Sequence, residues 1–512
     1  MTPRITHLIV ATISLFAVAV HLAFYNTLEF HRDELLYFSL GSHPAAGYAS
    51  VPPMIGLLAW VMIRLIGYSL LAAKILPAIG AGILVVLTDA IVREMKGGSF
   101  ARILVGITVT LMPLSLRIFF FFMPVFLELL EWTLILYLVV RYVNTKSNTL
   151  IILLGAVAGV ALLTKYLVAL LILALLVVVP FTKHRKLFRE KSLYIASGLA
   201  ILIFSPNLVW QFVKGFPVIL HMKELAGSQL VNVDRVNFFT DLLMFSGTGF
   251  LLFIPGFLYL LVTKKLKSFR LFAWVSIVVI LVLLLLRGKS YYAAGIIPFL
   301  AAAGGIFTEN ILKSKLAKTL MVLVIVLPDL LLLPGGIPVC GPQCLAKYFK
   351  TVTEVTGIPV GLRDEDGRIH ALPQDYADMI GWNELTGVAA KAYRSVPDTA
   401  AAVIFAGNYG QAGAVNVIGK KYRLPQPLCF AESFMYWNPE AFPEEIKAVV
   451  YINEEPPGRD VHELFADVKP MGKISNPLAR EYGTTVYLCT KPRKSFNEVW
   501  KGIVKERRNP FR

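Results

Sequence analysis

Cysteine is scarce in this 512-residue chain: Cys340, Cys344, Cys429 and Cys489 are the only four, and all follow the last long apolar run. The Cys340-x3-Cys344 spacing is half of a zinc site, but no histidine or second close cysteine pair completes it, which argues against a Cys/His metal centre. If their region is extracytoplasmic, the four are available for two disulfides of unreadable connectivity. Also missing are internal repeats, low-complexity tracts other than the apolar spans, and any recognisable nucleic-acid-binding module. Acidic residues are few, 33 against 50 Lys and Arg, giving a net charge of +17. The excess cations fall in short clusters between apolar runs, so they report membrane topology and not a nucleic-acid partner.

Apolar residues, by contrast, are abundant. Hydrophobic residues make up 56% of the chain and mean hydropathy is +0.66, more than an ordinary soluble protein carries. The sequence therefore reads as a polytopic α-helical membrane protein. After a basic start, residues 5–24 supply about twenty apolar positions, enough to cross a hydrocarbon core of ~30 Å as an uncleaved first helix. Further spans are expected at residues 70–92, 103–119, 124–140, 150–163, 166–181, 193–211, 238–262, 271–286, 291–307 and 320–333, about eleven in all. Alternate loops gather Lys and Arg and are expected to be cytoplasmic, together with the N-terminus. One helix over residues 150–181 would run to ~48 Å, too long for the core, and both of its flanks are basic. A turn at Lys165 resolves both difficulties. Residues 54–63, after Pro52-Pro53, are too short to cross and are expected to lie along the interface.

Residues 1–334 are thus expected to form a transmembrane domain, with residues 25–69 as its first outer loop. Residues 335–512 are expected to form a small α/β domain outside the membrane. There, helical patterns at 376–393 and 461–468 alternate with strand-like runs at 402–405, 448–452 and 484–488. The glycines of Gly407-Asn408-Tyr409-Gly410-Gln411-Ala412-Gly413 lack the Gly-x-Gly-x-x-Gly spacing, so a strand-to-helix turn is preferred there to a dinucleotide site.

Charges at the outer ends of spans run against the topology signal and are the informative ones. The cations are Lys74, Arg117, Lys165, Arg287 and Lys289. Each has a bland reading, snorkelling to the lipid headgroups. Together they form a candidate cradle for an anionic group, in which Arg offers a planar fork and Lys a compact charge. Tyr291 and Tyr292, after Arg287-Gly288-Lys289-Ser290, supply either a stacking surface or an ordinary interfacial belt. The acidic set is Asp33, Glu34, Glu128, Glu131 and Asp329. Glu128 and Glu131 are three apart on one helical face and suit a cationic partner such as Arg117 or Lys165. Asp33 and Glu34 are neighbours about 100° apart on a helix, so only one easily serves a given partner.

Several blocks in this order resemble the bacterial branch of the dolichyl-phosphate-mannose protein mannosyltransferase family, which includes the lipid A aminoarabinose transferases. They are Asp33-Glu34-Leu35-Leu36-Tyr37 with Gly47-Tyr48 and Pro52-Pro53; Pro124 through Glu128 to Trp132-Thr133-Leu134; and Leu162-Leu163-Thr164-Lys165-Tyr166. Ser205-Pro206-Asn207 with Trp210-Gln211, Gly288-Lys289-Ser290-Tyr291-Tyr292, and Asn408 to Ala414 continue the series. Two departures stand out: Glu128 occupies a position where the family usually has Asp, and Ala49-Ser50-Val51 lacks the acidic or histidine residue common there.

The resemblance implies a C-type (GT-C) glycosyltransferase fold with about eleven transmembrane helices, outer interfacial helices and a small C-terminal α/β domain. It implies inverting transfer of a sugar from a polyprenyl-phosphate donor to a hydroxyl on a lipid, glycan or protein, at the periplasmic face of a bacterial inner membrane. In that chemistry a carboxylate accepts the hydroxyl proton, and fixed cations stabilise the departing phosphate. Asp33 is the expected base. Lys165, Arg287 and Lys289 are the expected phosphate-binding cations, joined by Arg117, with Glu34 and Glu128 orienting acceptor or cations. No Asp-x-Asp pair or histidine cluster stands where it would hold a nucleotide-sugar metal, and no metal or other cofactor is expected. The rival class is a transporter or flippase of the same lipid-linked sugars, against which stand the absence of repeat symmetry and the gathering of charges on one side.

Overall fold

A computed structural model describes residues 2–228, 235–359 and 361–507. The chain divides into two compact units. One comprises Met1–Tyr25, Val51–Met54 and Lys74–Val339, the other Asn26–Ser50, Ile55–Ala73 and Cys340–Arg512. The change of composition at residue 335 lies close to the last boundary, and most of residues 25–69, the expected first outer loop, is grouped with the C-terminal residues.

The first unit is helical. Five helices among the described residues are long and apolar enough to cross a membrane: Pro3–Ala23, Leu70–Glu94, Lys191–Val213, Lys267–Leu285 and Ser290–Ile311. They present large apolar side chains outward, among them Leu15, Ile201, Leu202 and Phe212, as hydrocarbon solvent requires. Shorter apolar helices include Ser99–Leu111, Asn148–Thr164 and Val168–Phe181. Small residues bring helices together. A Cβ on Gly155 would lie 2.3 Å from the Ala196 carbonyl oxygen, so the Asn148–Thr164 helix packs backbone to backbone on Lys191–Val213.

Two expected spans are interrupted. The run 103–119 breaks into Ser99–Leu111 and Pro113–Ile118, because Pro113 has no N–H to donate and pushes Met112 out of the helical region, to φ −59° and ψ 132°. The run 238–262 bends by 110° between Asn237–Phe245 and Gly247–Val262. Gly247 has φ +51°, and the exposed backbone is satisfied by Asp329, which accepts from Thr248 N at 2.8 Å and Thr248 Oγ1 at 2.9 Å. The break at Lys165 falls where length and charge placed it: Asn148–Thr164 ends, Lys165 is extended at φ −158°, and Val168–Val178 begins anew.

The second unit holds a four-stranded sheet: β1 (Ala402–Ala406), β2 (Ala448–Asn453), β3 (Phe465–Lys473) and β4 (Thr485–Pro492), in the order β1-β2-β4-β3. β1 and β2 are parallel, and the other pairs are antiparallel. Its core joins Val449, Phe465 and Cys489 to Phe496, Trp500 and Val504 of the last helix. The helix expected over 461–468 is confined to Arg459–Leu464. From Phe465 the chain becomes β3, because Phe465 packs on Phe496 and Asp467 to Lys469 pair with β4. The helix expected over 376–393 is likewise split at Gly381, φ +96°, into Gln374–Ala377 and Trp382–Arg394.

Cys340 and Cys344 form a disulfide, while Cys429 and Cys489 are buried free thiols. The second expected disulfide is therefore absent. Cys489 lies within β4 opposite Val449 and Val468, and Cys429 is tied to Asn438 through backbone hydrogen bonds.

Candidate functional site

The stretch His31-Arg32-Asp33-Glu34 starts the helix Arg32–Gly41 in the second unit. His31 is its N-cap. The ring Nδ1 accepts from Asp33 N at 3.0 Å, and Glu34 Oε2 accepts in return from His31 N at 3.0 Å. Glu34 is wholly buried by this capping box. Its geometry is that of a helix cap, which differs from the orienting role expected for it beside Asp33. The two adjacent carboxylates thus divide, one turned into the helix end and the other, Asp33, half-buried and aimed elsewhere.

Asp33 Oδ1 accepts a hydrogen bond from the Tyr409 hydroxyl at 2.9 Å. Tyr409 opens the helix Tyr409–Val417, which follows β1 through a tight turn capped by Asn408, whose side chain accepts from Gly410 N and Gln411 N. This is the strand-to-helix turn expected from the glycine spacing. Its glycines serve packing: a Cβ on Gly410 would lie 2.8 Å from Arg32 Cγ, and one on Gly413 2.8 Å from Leu35 Cβ. Without side chains at those positions the two helices close on each other and bring Asp33 to Tyr409.

Arg32 braces the arrangement. Its guanidinium lies 4.4 Å from the centroid of the Tyr409 ring, and its backbone N–H donates to Asp378 O at 3.1 Å. Arg480 donates to Asp378 Oδ2 at 2.9 Å. Burial pushes the Asp378 carboxyl above its usual range, although His31, Arg480 and Arg32 pull the other way. Burial, and then the charge of Asp33, hold the Tyr409 phenol well above its ordinary value. Asn408 also donates to Glu454 at 2.8 Å and Glu481 at 2.9 Å, and Gln411 donates to Glu481 at 2.9 Å. None of Arg32, Asp378, Tyr409 and Arg480 stood out as a site residue in the sequence. The one available signal was the block from Asn408 to Ala414, which carried no role.

The first unit assembles a cluster of one cation, two acids and two tyrosines at the Thr164-Lys165 break. Lys165 Nζ pairs with Glu128 Oε2 at 2.9 Å, and the preceding Thr164 hydroxyl donates to Glu131 Oε1 at 2.6 Å. The two acids on one helical face are thus each held by one of two consecutive residues. The Lys165 ammonium lies 4.8 Å from the Tyr292 ring centroid and 5.6 Å from that of Tyr291, and the two rings meet edge to face. Lys165, Glu128, Tyr291 and Tyr292 are therefore brought together. Behind them, Tyr166 donates to Asn207 at 2.8 Å and accepts from Gln211 at 3.0 Å, linking two of the sequence blocks.

The remaining expected cations are arranged differently. Arg287 is exposed with φ +54°, and Lys289 is half-buried at the start of the turn Ser290–Ile296. Arg117 donates to the Gly335 carbonyl at 3.4 Å. Lys74 is buried against Phe120 and Phe121, 4.4 and 5.1 Å from their ring centroids.

Residues 50–210 match the family model described as dolichyl-phosphate-mannose-protein mannosyltransferase. No curated protein sequence matches the chain. Among solved structures, ArnT from Cupriavidus metallidurans bound to undecaprenyl phosphate superposes with a TM-score of 0.61 at 12% identity, covering 93% of this chain and 97% of that one. The apo state of the same protein gives 0.57 at 13% identity, with the same coverage. At such identity the superposition speaks for the fold, and the family match speaks for the sequence blocks in its first half. Residues 50–210 thus resemble the dolichyl-phosphate-mannose-protein mannosyltransferase family, and the chain as a whole shares the GT-C fold of ArnT.

Proposed function

We propose that the protein moves a sugar from a polyprenyl-phosphate donor to a hydroxyl acceptor, with inversion, at the periplasmic face of a bacterial inner membrane. The observation that carries this reading is Asp33, a half-buried carboxylate separated from its capped neighbour Glu34 and held by a phenol. A carboxylate so placed accepts the proton of an attacking hydroxyl, a role that contributes ~10²- to 10⁴-fold to rate. The lipid-linked donor is supported by the family match and by the fold shared with ArnT, a protein whose structure has undecaprenyl phosphate bound.

Charge builds on the donor phosphate as the glycosidic bond breaks. Lys165, Arg287 and Lys289 are assigned to stabilise it, with Arg117 in a lesser part. Glu128 keeps Lys165 ionised and oriented, and Tyr291 and Tyr292 wall it in. A lysine with aromatic walls and one carboxylate still has N–H donors to offer a phosphate. The basic loops 93–102, 141–146, 183–191, 264–270 and 313–318 support a cytoplasmic N-terminus and a periplasmic C-terminal region. The acceptor class is a lipid, a glycan or a protein of the cell envelope.

Purified full-length protein in lipid nanodiscs, given radiolabelled undecaprenyl-phosphate sugars and an envelope-lipid extract, tests the reading. Wild-type protein is expected to move label to an acceptor, and Asp33→Asn to lose ~10²- to 10⁴-fold of that rate. Undiminished transfer by Asp33→Asn would remove Asp33 as base. In sealed liposomes holding the same protein, passage of label across the bilayer without bond cleavage would favour a flippase.

A further inference from the structure

We propose that Tyr409 is a positioning residue for Asp33: its hydroxyl holds Oδ1 and so sets the orientation in which the other carboxylate oxygen accepts the proton. This rests on the reading of Asp33 as the base. The hydrogen bond is 2.9 Å long and joins residues 376 positions apart, so only the packing of the helix Arg32–Gly41 on the helix Tyr409–Val417 makes it. That packing is built in, since Gly410 and Gly413 leave no Cβ where Arg32 and Leu35 sit.

The phenol is itself fixed on several sides. Tyr409 is the first residue of its helix. The capping Asn408 side chain is anchored to Glu454 and Glu481, and the Arg32 guanidinium covers the ring face at 4.4 Å. A carboxylate on a short side chain has two rotatable torsions, and one strong donor on Oδ1 removes most of that freedom. The catalytic consequence is pre-organisation: the base meets the attacking hydroxyl without first being ordered.

Tyr409 acts as a donor and keeps its own proton. Burial raises the phenol, as do Asp33, Asp378 and Glu432, against which Arg32 alone pulls down. It therefore does not compete with Asp33 for the substrate proton. Ring packing needs only the aromatic body, so Tyr409→Phe keeps the contact with Arg32 and deletes the hydrogen bond alone.

Two measurements on the full chain in nanodiscs test this. In the first, Tyr409 is replaced by 3-fluorotyrosine and its fluorine resonance is followed through alkaline pH, with and without Asp33→Asn. Removing the Asp33 charge is expected to lower the phenol midpoint by about one pH unit. A midpoint that stays in place would show that the two groups are not coupled and would overturn the proposal. In the second, consumption of undecaprenyl-phosphate-linked aminoarabinose and mannose is compared in wild-type protein, Tyr409→Phe and Asp33→Asn. Tyr409→Phe is expected to lose ~10- to 100-fold in kcat, with KM for the donor within twofold and the melting temperature close to wild type. Wild-type kcat in Tyr409→Phe beside an inactive Asp33→Asn would overturn the positioning role and leave the base in place. Full activity in Asp33→Asn would instead overturn the reading of the base. If wild-type protein consumes neither donor, the proposed donor class fails and the fluorine titration alone decides whether Tyr409 holds Asp33.

Discussion

Asp33 and Glu34 are adjacent acids that the structure holds differently, and substituting each in turn tests the roles proposed for them. Glu34 is wholly buried, and its Oε2 accepts from the N–H of His31, itself only 3% exposed. Glu34→Ala leaves that donor buried without its acceptor, a loss of ~1–3 kcal/mol. That hydrogen bond is also the Glu34 half of the capping box, so the same loss covers it. A loss of ~1–3 kcal/mol lowers the melting temperature of a unit of this size by roughly 2–12 °C. Glu34→Gln keeps an acceptor oxygen on the same stem and is expected to recover most of that loss, with transfer close to wild type. Asp33→Asn is expected to show the reverse, a melting temperature within about 2 °C of wild type and transfer down by ~10²-fold or more. Thermal unfolding followed by intrinsic fluorescence, run beside a donor-consumption assay on the same samples, reads both quantities. Loss of transfer in a fully stable Glu34→Gln protein would refute the division of roles and return Glu34 to the catalytic machinery.

Lys165→Met removes the ammonium but keeps an unbranched apolar stem, and is expected to raise KM for the lipid-linked donor by ~10-fold or more, as loss of one charge-assisted hydrogen bond implies. An unchanged donor KM would remove Lys165 from the phosphate hold. The thiols of Cys429 and Cys489 are buried, and burial pushes both up to about 12. Folded protein at pH 8 is therefore expected to take up no maleimide, denatured protein two equivalents, and denatured and reduced protein four. Labelling of folded protein would contradict the packing around β4. Burial pushes the Asp364 carboxyl up to about 6, outweighing His370 and Arg480. The folded state then holds this proton more tightly than the unfolded one, so the contribution of Asp364 to stability declines as pH rises from about 4 to about 6. Asp364→Asn is expected to stabilise the protein by up to ~1 kcal/mol at pH 7.5 after solvent screening, and by nothing at pH 4. A gain of equal size at both pH values would refute the assignment.

Where local composition decides structure, the sequence was readable. Long apolar runs, the paired prolines before the short apolar helix and the charge pattern around Lys165 act over a few residues, and the helices Pro3–Ala23, Met54–Ile66 and Asn148–Thr164 follow them. The candidate partnership of Glu128 with Lys165 was also within reach, because both stand at span ends where an unpaired charge is costly. The misreadings share a cause. Residues 461–468 carry apolar spacing compatible with either period, and pairing with β4 decided for a strand from Phe465 onward. The 110° bend at Gly247 depends on Asp329, some eighty residues away, to satisfy the opened backbone.

Hydropathy, charge asymmetry and the order of the motif blocks pointed by themselves to a multi-pass membrane protein that resembles the dolichyl-phosphate-mannose-protein mannosyltransferases, with an acidic pair at residues 33 and 34. Those signals are local, arising from the cost of moving backbone and charge out of water. How each of the two acids is held was decided only by tertiary structure. The capping box takes Glu34 within one turn, but Asp33 acquires its orientation from Tyr409, Arg32 and two glycines brought together across hundreds of residues. A hydrogen bond needs its donor within ~3 Å, and only the close packing of the two helices supplies that distance.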